Sequence, residues 1–305
     1  LEEGLKLSEE INEVISTVLA NYYLGVALTL NCEFEKAFYH IEKAYGVNEA
    51  VGNLWGMSVM KSHLSLPFNY QGQVYLGFQH SEKAVQLAED SGDIFSKAMA
   101  YSLHGFSCYY KGSFADAIRH LIKGADLGER INYFTWNAVS QFYLGESHFE
   151  IGEYKKARGY YEKAILFLEN NIWLPSFMNL HKIAFSRAKL MNNEKDINIE
   201  YLCTVATKNK LRRFDGQMQR YIGEIFLNID EGHITNSKNW IEKAIKTDKR
   251  NGVLFELGRN YALYAELFKR KGNKSKTKEN LSKAIEIFNK CGADGWAEKY
   301  QKELV

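Results

Sequence analysis

The chain has 305 residues, a net charge of +2, 46% hydrophobic residues and only two prolines. It is long enough to bury a large core, and its near-neutral charge indicates neither a nucleic-acid nor a membrane-surface partner. Proline breaks helix interiors, so its scarcity favours helical structure. No apolar run approaches the roughly 18 residues of a membrane span, and the four cysteines are too widely spaced for a zinc motif. We expect free thiols in a reducing cytoplasm.

A small residue recurs about every 40 positions along the chain. The series is Ala44, Ala84, Gly124, Ala164, Val205, Ala244 and Ala284. A second small or short residue lies seven positions before each of them, at Ala37, Gly77, Ala117, Ala157, Asn198, Ser237 and Thr277. Small residues two helical turns apart share one face of a helix, where another helix can approach closely. A fixed period of this length is typical of solenoids, and it predicts seven repeated units.

Each unit is predicted to be two helices joined by a tight turn. The first helices are expected at about residues 12–31, 52–70, 93–111, 130–151, 174–191, 211–230 and 251–271. The second helices are expected at about residues 34–48, 74–90, 114–128, 154–170, 195–208, 235–247 and 275–290. The turns contain Cys32, Gly72, Gly112, Gly152, Asn193, Gly232 and Gly272. Glycine or asparagine suits the left-handed residue that ends a helix, so the turns support the same division.

The two ends of the chain do not complete a unit. Residues 1–8 are expected to be the remnant of a preceding repeat in a longer parent protein, because Leu1–Leu7 matches Leu121–Leu127 in spacing. Residues 292–305 are predicted to form a capping helix, since Trp296 and Tyr300 are four apart and can cover the last unit. We therefore expect residues 1–305 to form a single solenoid, with seven repeats between about residues 12 and 291.

The most regular unit contains Leu144, Gly145, Ala157, Tyr161 and Ala164. This pattern resembles the tetratricopeptide repeat (TPR) family, although the period is 40 residues rather than about 34. The resemblance covers essentially the whole chain and implies an all-α right-handed superhelix of about seven helix-turn-helix repeats with a C-terminal capping helix. The long period and the tail also resemble the C-terminal region of bacterial signalling ATPases of the STAND or AAA-like type, which are often fused to a nucleotide cyclase or kinase.

The resemblance also implies where a partner binds. In TPR superhelices the first helix of each repeat lines the concave surface, and aromatic residues beside charged ones are typical of binding hot spots. The partner-binding residues expected on that surface are Tyr22, Tyr70, Phe106, Tyr109, Tyr110, Phe142, Glu146, Phe149, Arg187 and Phe226. The expected partner is a peptide, a protein or the catalytic domain of the parent chain, and the module is expected to be cytoplasmic. Packing between adjacent first helices is the competing explanation for the aromatic positions.

No enzyme motif is present, so we expect no catalytic residue and no cofactor. His40, His80 and His120 occupy the same position in three successive units. Equivalent positions in packed helices lie about 10 Å apart, too far for one zinc ion with bonds of about 2.1 Å. We therefore predict no metal site and interpret these rings as packing residues. His104 and His148 are expected on different faces of the first helices of their units and are predicted to form no cluster.

Charge is unevenly distributed. Residues 1–200 contain 18 Lys and Arg against 24 Asp and Glu, whereas residues 201–305 contain 21 against 13. We interpret the basic residues of positions 201–305 as a solvated surface. The least favoured alternative is a solenoid that binds nucleic acid through Lys210, Arg212 and Arg213. A sensor of a small-molecule effector, with a pocket between the third and fifth units, is the other alternative.

Overall fold

The computed structural model describes residues 1–169 and 175–304. These residues form sixteen α-helices. They are α1 Glu2–Glu10, α2 Val14–Leu30, α3 Phe34–Ala50, α4 Leu54–Gln71, α5 Val74–Ser91, α6 Ile94–Lys111, α7 Phe114–Arg130, α8 Phe134–Glu150, α9 Tyr154–Glu169, α10 Pro175–Met191, α11 Ile199–Thr207, α12 Arg212–Ile229, α13 Ile234–Asn251, α14 Leu254–Arg270, α15 Lys274–Cys291 and α16 Asp294–Gln301. The described part contains no strand, and the predicted all-α fold is confirmed.

The helices pair as seven antiparallel hairpins, from α2–α3 to α14–α15, and each hairpin packs against the next. The small residues make this packing possible. Ala84, Ala164 and Ala284 are fully buried, and a Cβ atom on Gly145 would lie only 2.6 Å from the Tyr161 ring on the partner helix. The repeated small positions are therefore required by the close approach of the two helices in each hairpin.

The turns follow a period of about 20 residues. Left-handed backbone occurs at Asn12, Cys32, Gly52, Gly72, Gly92, Gly112, Asn132, Gly152, Asn193, Gly252, Gly272 and Gly292. The prediction for Gly232 is wrong, because it lies in a short 3-10 helix, Glu231–His233, that starts after an extended Asp230. Asp230 accepts a hydrogen bond from the His233 ring at 2.7 Å and holds this turn without a left-handed residue.

Three predicted helix boundaries differ from the structure by four residues. Helix α8 begins at Phe134 rather than near residue 130, α11 begins at Ile199 rather than near residue 195, and α13 ends at Asn251 rather than near residue 247. The boundaries predicted at residues 170 and 174 lie outside the described residues. None of the described helices combines the length and the apolar character that crossing a membrane requires.

The superhelix returns on itself, so that hairpins distant in sequence touch. Helix α2 contacts α12, α4 contacts α14, and α6 contacts α16. The approach is closest at the turn of the third hairpin, where a Cβ atom on Gly112 would lie 2.6 Å from the backbone nitrogen of Trp296 and 2.7 Å from Gly295. The capping helix α16 therefore covers the last hairpin and also packs on the third.

This contact can be measured with a matched pair of glycine substitutions. Gly112 and Gly152 have nearly the same left-handed backbone, with φ of 87° and 82°, but nothing lies within 4 Å of a Cβ atom on Gly152. We expect Gly152→Ala to lower the free energy of unfolding by about 1–2 kcal/mol through backbone strain alone. Gly112→Ala should cost a further 1–3 kcal/mol or so through overpacking against α16. Equal losses in urea unfolding would show that the third hairpin and α16 are not in contact.

Candidate functional site in the interior of the superhelix

The interior of the superhelix contains four arginines. Arg187 on α10, Arg213 and Arg220 on α12, and Arg259 on α14 each have 5% or less of their surface exposed. Arg213 and Arg220 are seven residues apart and so lie on one face of α12. Burial of four guanidinium groups requires an equally buried set of partners.

Glu256 on α14 lies between the two arginines of α12. One carboxylate oxygen accepts a hydrogen bond from Arg213 at 3.2 Å, and the other accepts one from Arg220 at 2.7 Å. Burial alone would raise the pKa of Glu256, but the positive charges of Arg220, Arg213 and Arg259 outweigh burial and lower it. Arg213 also donates to the Tyr110 hydroxyl at 2.6 Å, which ties hairpin six to hairpin three.

A second pair is formed by Glu146 and Arg187. Glu146 accepts hydrogen bonds from Arg187 at 3.1 Å, from Tyr161 at 2.5 Å and from Tyr109 at 3.1 Å. The guanidinium group of Arg187 lies 3.7 Å from the Phe149 ring centre. Cation–π contacts are strongest where water is excluded, so this contact helps to stabilise the buried guanidinium group of Arg187.

A third group joins the capping helix to the interior. Glu150 accepts hydrogen bonds from Arg259 and, at 2.6 Å, from Lys299. Burial would raise the pKa of Glu150, but the charges of Arg259 and Lys299 dominate and hold it far below its usual range. Arg259 also donates to the Tyr109 hydroxyl at 2.5 Å and lies 4.2 Å from the Trp296 ring centre.

An open cavity lies beside these ion pairs, and we call it the inner cleft. It has a volume of about 290 Å³. Its lining combines aromatic, aliphatic and charged side chains from α8, α9, α10, α12, α14 and α16. They are Phe149, Glu150, Tyr154, Met191, Arg220, Glu224, Leu227, Asn228, Arg259, Ala262, Leu263, Glu266, Arg270, Lys299, Tyr300 and Glu303. The cleft is therefore an amphipathic site walled by the interior ion pairs.

The structure buries nearly all of the residues that the sequence predicts on the concave surface. Tyr70, Phe106, Tyr109, Tyr110, Phe142, Glu146, Phe149, Arg187 and Phe226 are at most 7% exposed, and Tyr22 is half-buried with its hydroxyl 2.9 Å from His63. Among them, Phe149 also lines the inner cleft. Phe142 and Phe226 pack against Tyr161 and His233 within the helix layers. Partner binding by this set stays a prediction, since the interior in this state is filled by its own side chains.

Several residues of the interior are missing from the predicted set, namely Arg213, Arg220, Glu256, Arg259 and Lys299. A signal for some of them is present in the sequence. Arg213, Gln217, Arg220 and Glu224 follow the helical spacing of four, three and four residues, which is the pattern of one helix face. We did not predict this helix face as part of the interior, because residues 201–305 are basic and we interpreted their charges as solvated. Burial of Arg213 also removes it from the nucleic-acid surface proposed above.

One expectation about the histidines is wrong. His104 does belong to a cluster, together with Cys108 and His120. A separation of about 10 Å applies to equivalent positions in successive hairpins, whereas His104 and His120 face each other across the two helices of a single hairpin.

Comparison with known proteins gives similarity in structure alone. No protein-family model matches the sequence, and no curated protein matches it. A Rap protein in complex with competence and sporulation factor has a TM-score of 0.69 and 13% identity, over 92% of this chain and 76% of that one. The Rap conjugation gene regulator of plasmid pLS20, in complex with a Phr peptide, has a TM-score of 0.67 and 13% identity, over 93% and 77%.

A STAND signal-transduction ATPase with a TPR sensor, from Pyrococcus horikoshii, has a TM-score of 0.52 and 13% identity. The match covers 94% of this chain and 45% of that one. The TM-scores establish the similarity in fold, and identities of 13% leave the function open. The 40-residue period, the seven hairpins and these structural neighbours together show that the chain is a TPR-like helical repeat array.

Proposed function

We propose that the chain is a non-enzymatic sensor module that binds a peptide, or an exposed segment of a protein, in the inner cleft. The observation that carries the proposal is the lining of the cleft, which combines apolar side chains with charged groups from several helices. Among the described residues, Nε of Arg220 in this lining has no hydrogen-bond partner. Buried polar groups are nearly always paired, so this nitrogen is suited to a carbonyl or carboxylate oxygen of a ligand.

The charges of the cleft suit a peptide that carries groups of both signs. The lining has four cations and four carboxylates, namely Arg220, Arg259, Arg270, Lys299, Glu150, Glu224, Glu266 and Glu303. Buried ion pairs rarely add stability over apolar packing of the same volume. Their concentration beside an open cleft is therefore better explained by recognition than by stabilisation.

The cleft offers little for catalysis. Among the residues that the structure describes, its lining includes no histidine, cysteine, serine or threonine. The carboxylate of Glu150 is held by two cations, and its lowered pKa makes it a weak base. We accordingly propose a binding role without catalysis.

The size of the cleft indicates how the module would sense its ligand. A volume of about 290 Å³ is at the lower end of the roughly 300–1,000 Å³ of small-molecule sites. We propose that the cleft accommodates a longer peptide when the contacts between α16 and hairpin three separate, because Lys299 and Tyr300 of α16 line it. Binding would then shift the population from the closed array to an open one, since a ligand favours the state that it binds more tightly.

The structural neighbours are consistent with this proposal, because two of them were solved in complex with a peptide or factor. We propose further that residues 1–305 form one solenoid, that it is the cytoplasmic regulatory part of a longer signalling protein, and that the catalytic domain of that protein is a second candidate partner.

The proposal is tested by thermal unfolding of the chain with a library of short random peptides. We expect a subset with a free carboxylate to raise the melting temperature. Arg220→Gln should abolish this shift, whereas Arg212→Gln, which changes an exposed arginine on the same helix, should retain it. Because Arg220→Gln can also disturb Glu256, a second variant, Leu263→Glu, adds a carboxylate at the half-buried rim of the cleft and should weaken binding by repulsion.

Binding that survives both cleft variants, or no stabilising peptide in the library, would overturn the proposal. A shift caused by a small organic acid, but by no peptide, would favour the small-molecule sensor, which the small volume of the closed cleft also fits.

A further inference from the structure

A second group of chemically reactive side chains lies outside the inner cleft, in the third hairpin. His104 and Cys108 are one helical turn apart on α6, and His120 faces them from α7. One ligand atom from each lies within 4.8 Å of the other two. The group borders an open cavity of about 320 Å³, lined also by Phe78, Glu82, Val85, Gln86, Asp116 and Arg119. An ion could therefore reach it from solvent.

The hydrogen bonds around Ser81 determine which nitrogen of His104 carries the proton. The Ser81 hydroxyl donates to the carbonyl oxygen of Phe78 at 2.8 Å. Its oxygen must then accept the hydrogen bond from Nδ1 of His104, which lies 3.0 Å away. Nε2 of His104 is left unprotonated, and it is the nitrogen that lies 3.9 Å from Sγ of Cys108. A partner that fixes the imidazole tautomer in this way is a regular feature of metal-binding histidines.

His120 completes the arrangement. Its ring lies edge-on to His104, with 4.6 Å between the ring centres, and stacks on Tyr101. No hydrogen-bond partner for its nitrogens is found in the described parts of the chain.

Other buried histidines of the chain do not share this environment. His63 and His181 each bond a backbone carbonyl of their own helix, at 3.0 and 2.7 Å. Neither belongs to a group of three metal-ligating side chains in the residues that the structure describes. The cluster in hairpin three is thus distinct from ordinary packing of histidine rings.

We propose that His104, Cys108 and His120 bind a divalent cation of the zinc class through Nε2 of His104, Sγ of Cys108 and a ring nitrogen of His120. Imidazole nitrogen and thiolate sulfur are both ligands that Zn²⁺ takes in proteins. Bonds of about 2.0–2.3 Å in a tetrahedron place the ligand atoms about 3.5 Å apart, so the side chains need to close by about 1 Å.

The fourth position faces the cavity and takes water or the carboxylate of Asp116, which is four residues before His120 on α7. Arg119 holds that carboxylate at 2.7 Å when no cation is bound. Binding converts the Cys108 thiol to a thiolate bonded to the cation and releases its proton to water.

The test is a titration of the full chain with Co²⁺, which occupies zinc sites and reports thiolate bonds by a charge-transfer absorption band. We expect this band to saturate at a single equivalent and to disappear when Zn²⁺ is added. Cys108→Ser should abolish the band. Cys291→Ser, which changes an equally buried thiol elsewhere, should leave it unchanged. Absence of the band in the unmodified chain, or its survival in Cys108→Ser, would overturn the proposal.

Ser81 provides a second, independent measurement, because it positions His104 without binding the cation. Ser81→Ala is expected to weaken zinc affinity by about 10- to 100-fold, the usual effect of losing such a partner. The readout is the zinc-induced rise in melting temperature, which a purely structural role of Ser81 would not alter. Equal zinc affinity in Ser81→Ala and the unmodified chain would contradict the assigned tautomer and the site built on it.

Discussion

Trp296→Ala is expected to lower the free energy of unfolding by about 3–5 kcal/mol, the usual cost of removing a large buried aromatic side chain. Trp296 is fully buried although it belongs to the last helix of the array. Its ring packs on Phe288 of the last hairpin and on Phe114 of the third, and its Nε1 donates to the carbonyl oxygen of Tyr109 at 2.8 Å. The substitution therefore removes the cap and the closing contact together.

The loss is measured by urea unfolding and the opening by small-angle X-ray scattering. We expect a larger radius of gyration for Trp296→Ala under native conditions, because α16 no longer joins the last hairpin to the third. Trp55→Ala is the control, since Trp55 is 41% exposed and its ring contacts Phe95 at the surface. If both variants lost similar stability and kept the same radius, Trp296 would not be the closing residue.

Asp248→Asn is expected to stabilise the protein at alkaline pH. Asp248 is fully buried on α13, against Gly216 of α12. Burial, followed by the negative charge of Glu256, raises the pKa of Asp248 from 3.8 to about 8. Asn260 donates to one of its oxygens at 2.7 Å, and the other has no partner among the described residues. An asparagine has the same shape and no charge to bury.

The sign of the pH dependence follows from the raised pKa. Below about pH 4 the group is protonated in both the folded and the unfolded chain. As the pH rises toward 8, the unfolded chain releases the proton and the folded chain keeps it, so stability falls. The limiting slope is about 1.4 kcal/mol per pH unit.

We therefore expect the advantage of Asp248→Asn over the unmodified chain to be small near pH 4 and to grow by about 1 kcal/mol per pH unit from there to pH 8. Urea unfolding at several pH values measures it. Asp126→Asn, which changes an exposed residue, should show no such trend. A constant difference between Asp248→Asn and the unmodified chain across this range would contradict a protonated Asp248.

The repeat was predictable because its determinants are local. Residues such as Gly145 and Tyr161 meet within one hairpin, and their spacing is fixed by helix geometry and turn length. The turn at Gly232 was not predictable in this way, because a 3-10 turn held by Asp230 and His233 replaces the left-handed residue that the period requires elsewhere.

The interior was predictable only in part. The resemblance to TPR superhelices predicted Tyr109 and Arg187 on the concave surface, but their burial depends on how far the array curves. That curvature brings Arg259 and Trp296 onto Tyr109 across 150 and 187 residues, and no local pattern encodes such a distance. The cluster of His104 and His120 was not predicted although it is local. We considered equivalent positions in successive repeats and not the two facing helices of one hairpin.

The contact between Tyr109 and Trp296 changes the character of the solenoid as a folding unit. In an open repeat array each unit depends on its immediate neighbours, so the ends can unfold separately and folding can start anywhere. Here the chain is joined into a ring, and fraying of the last hairpin also exposes the third. We expect one cooperative transition in place of stepwise loss from the ends. The ring also closes slowly, because its final contact joins residues far apart in sequence.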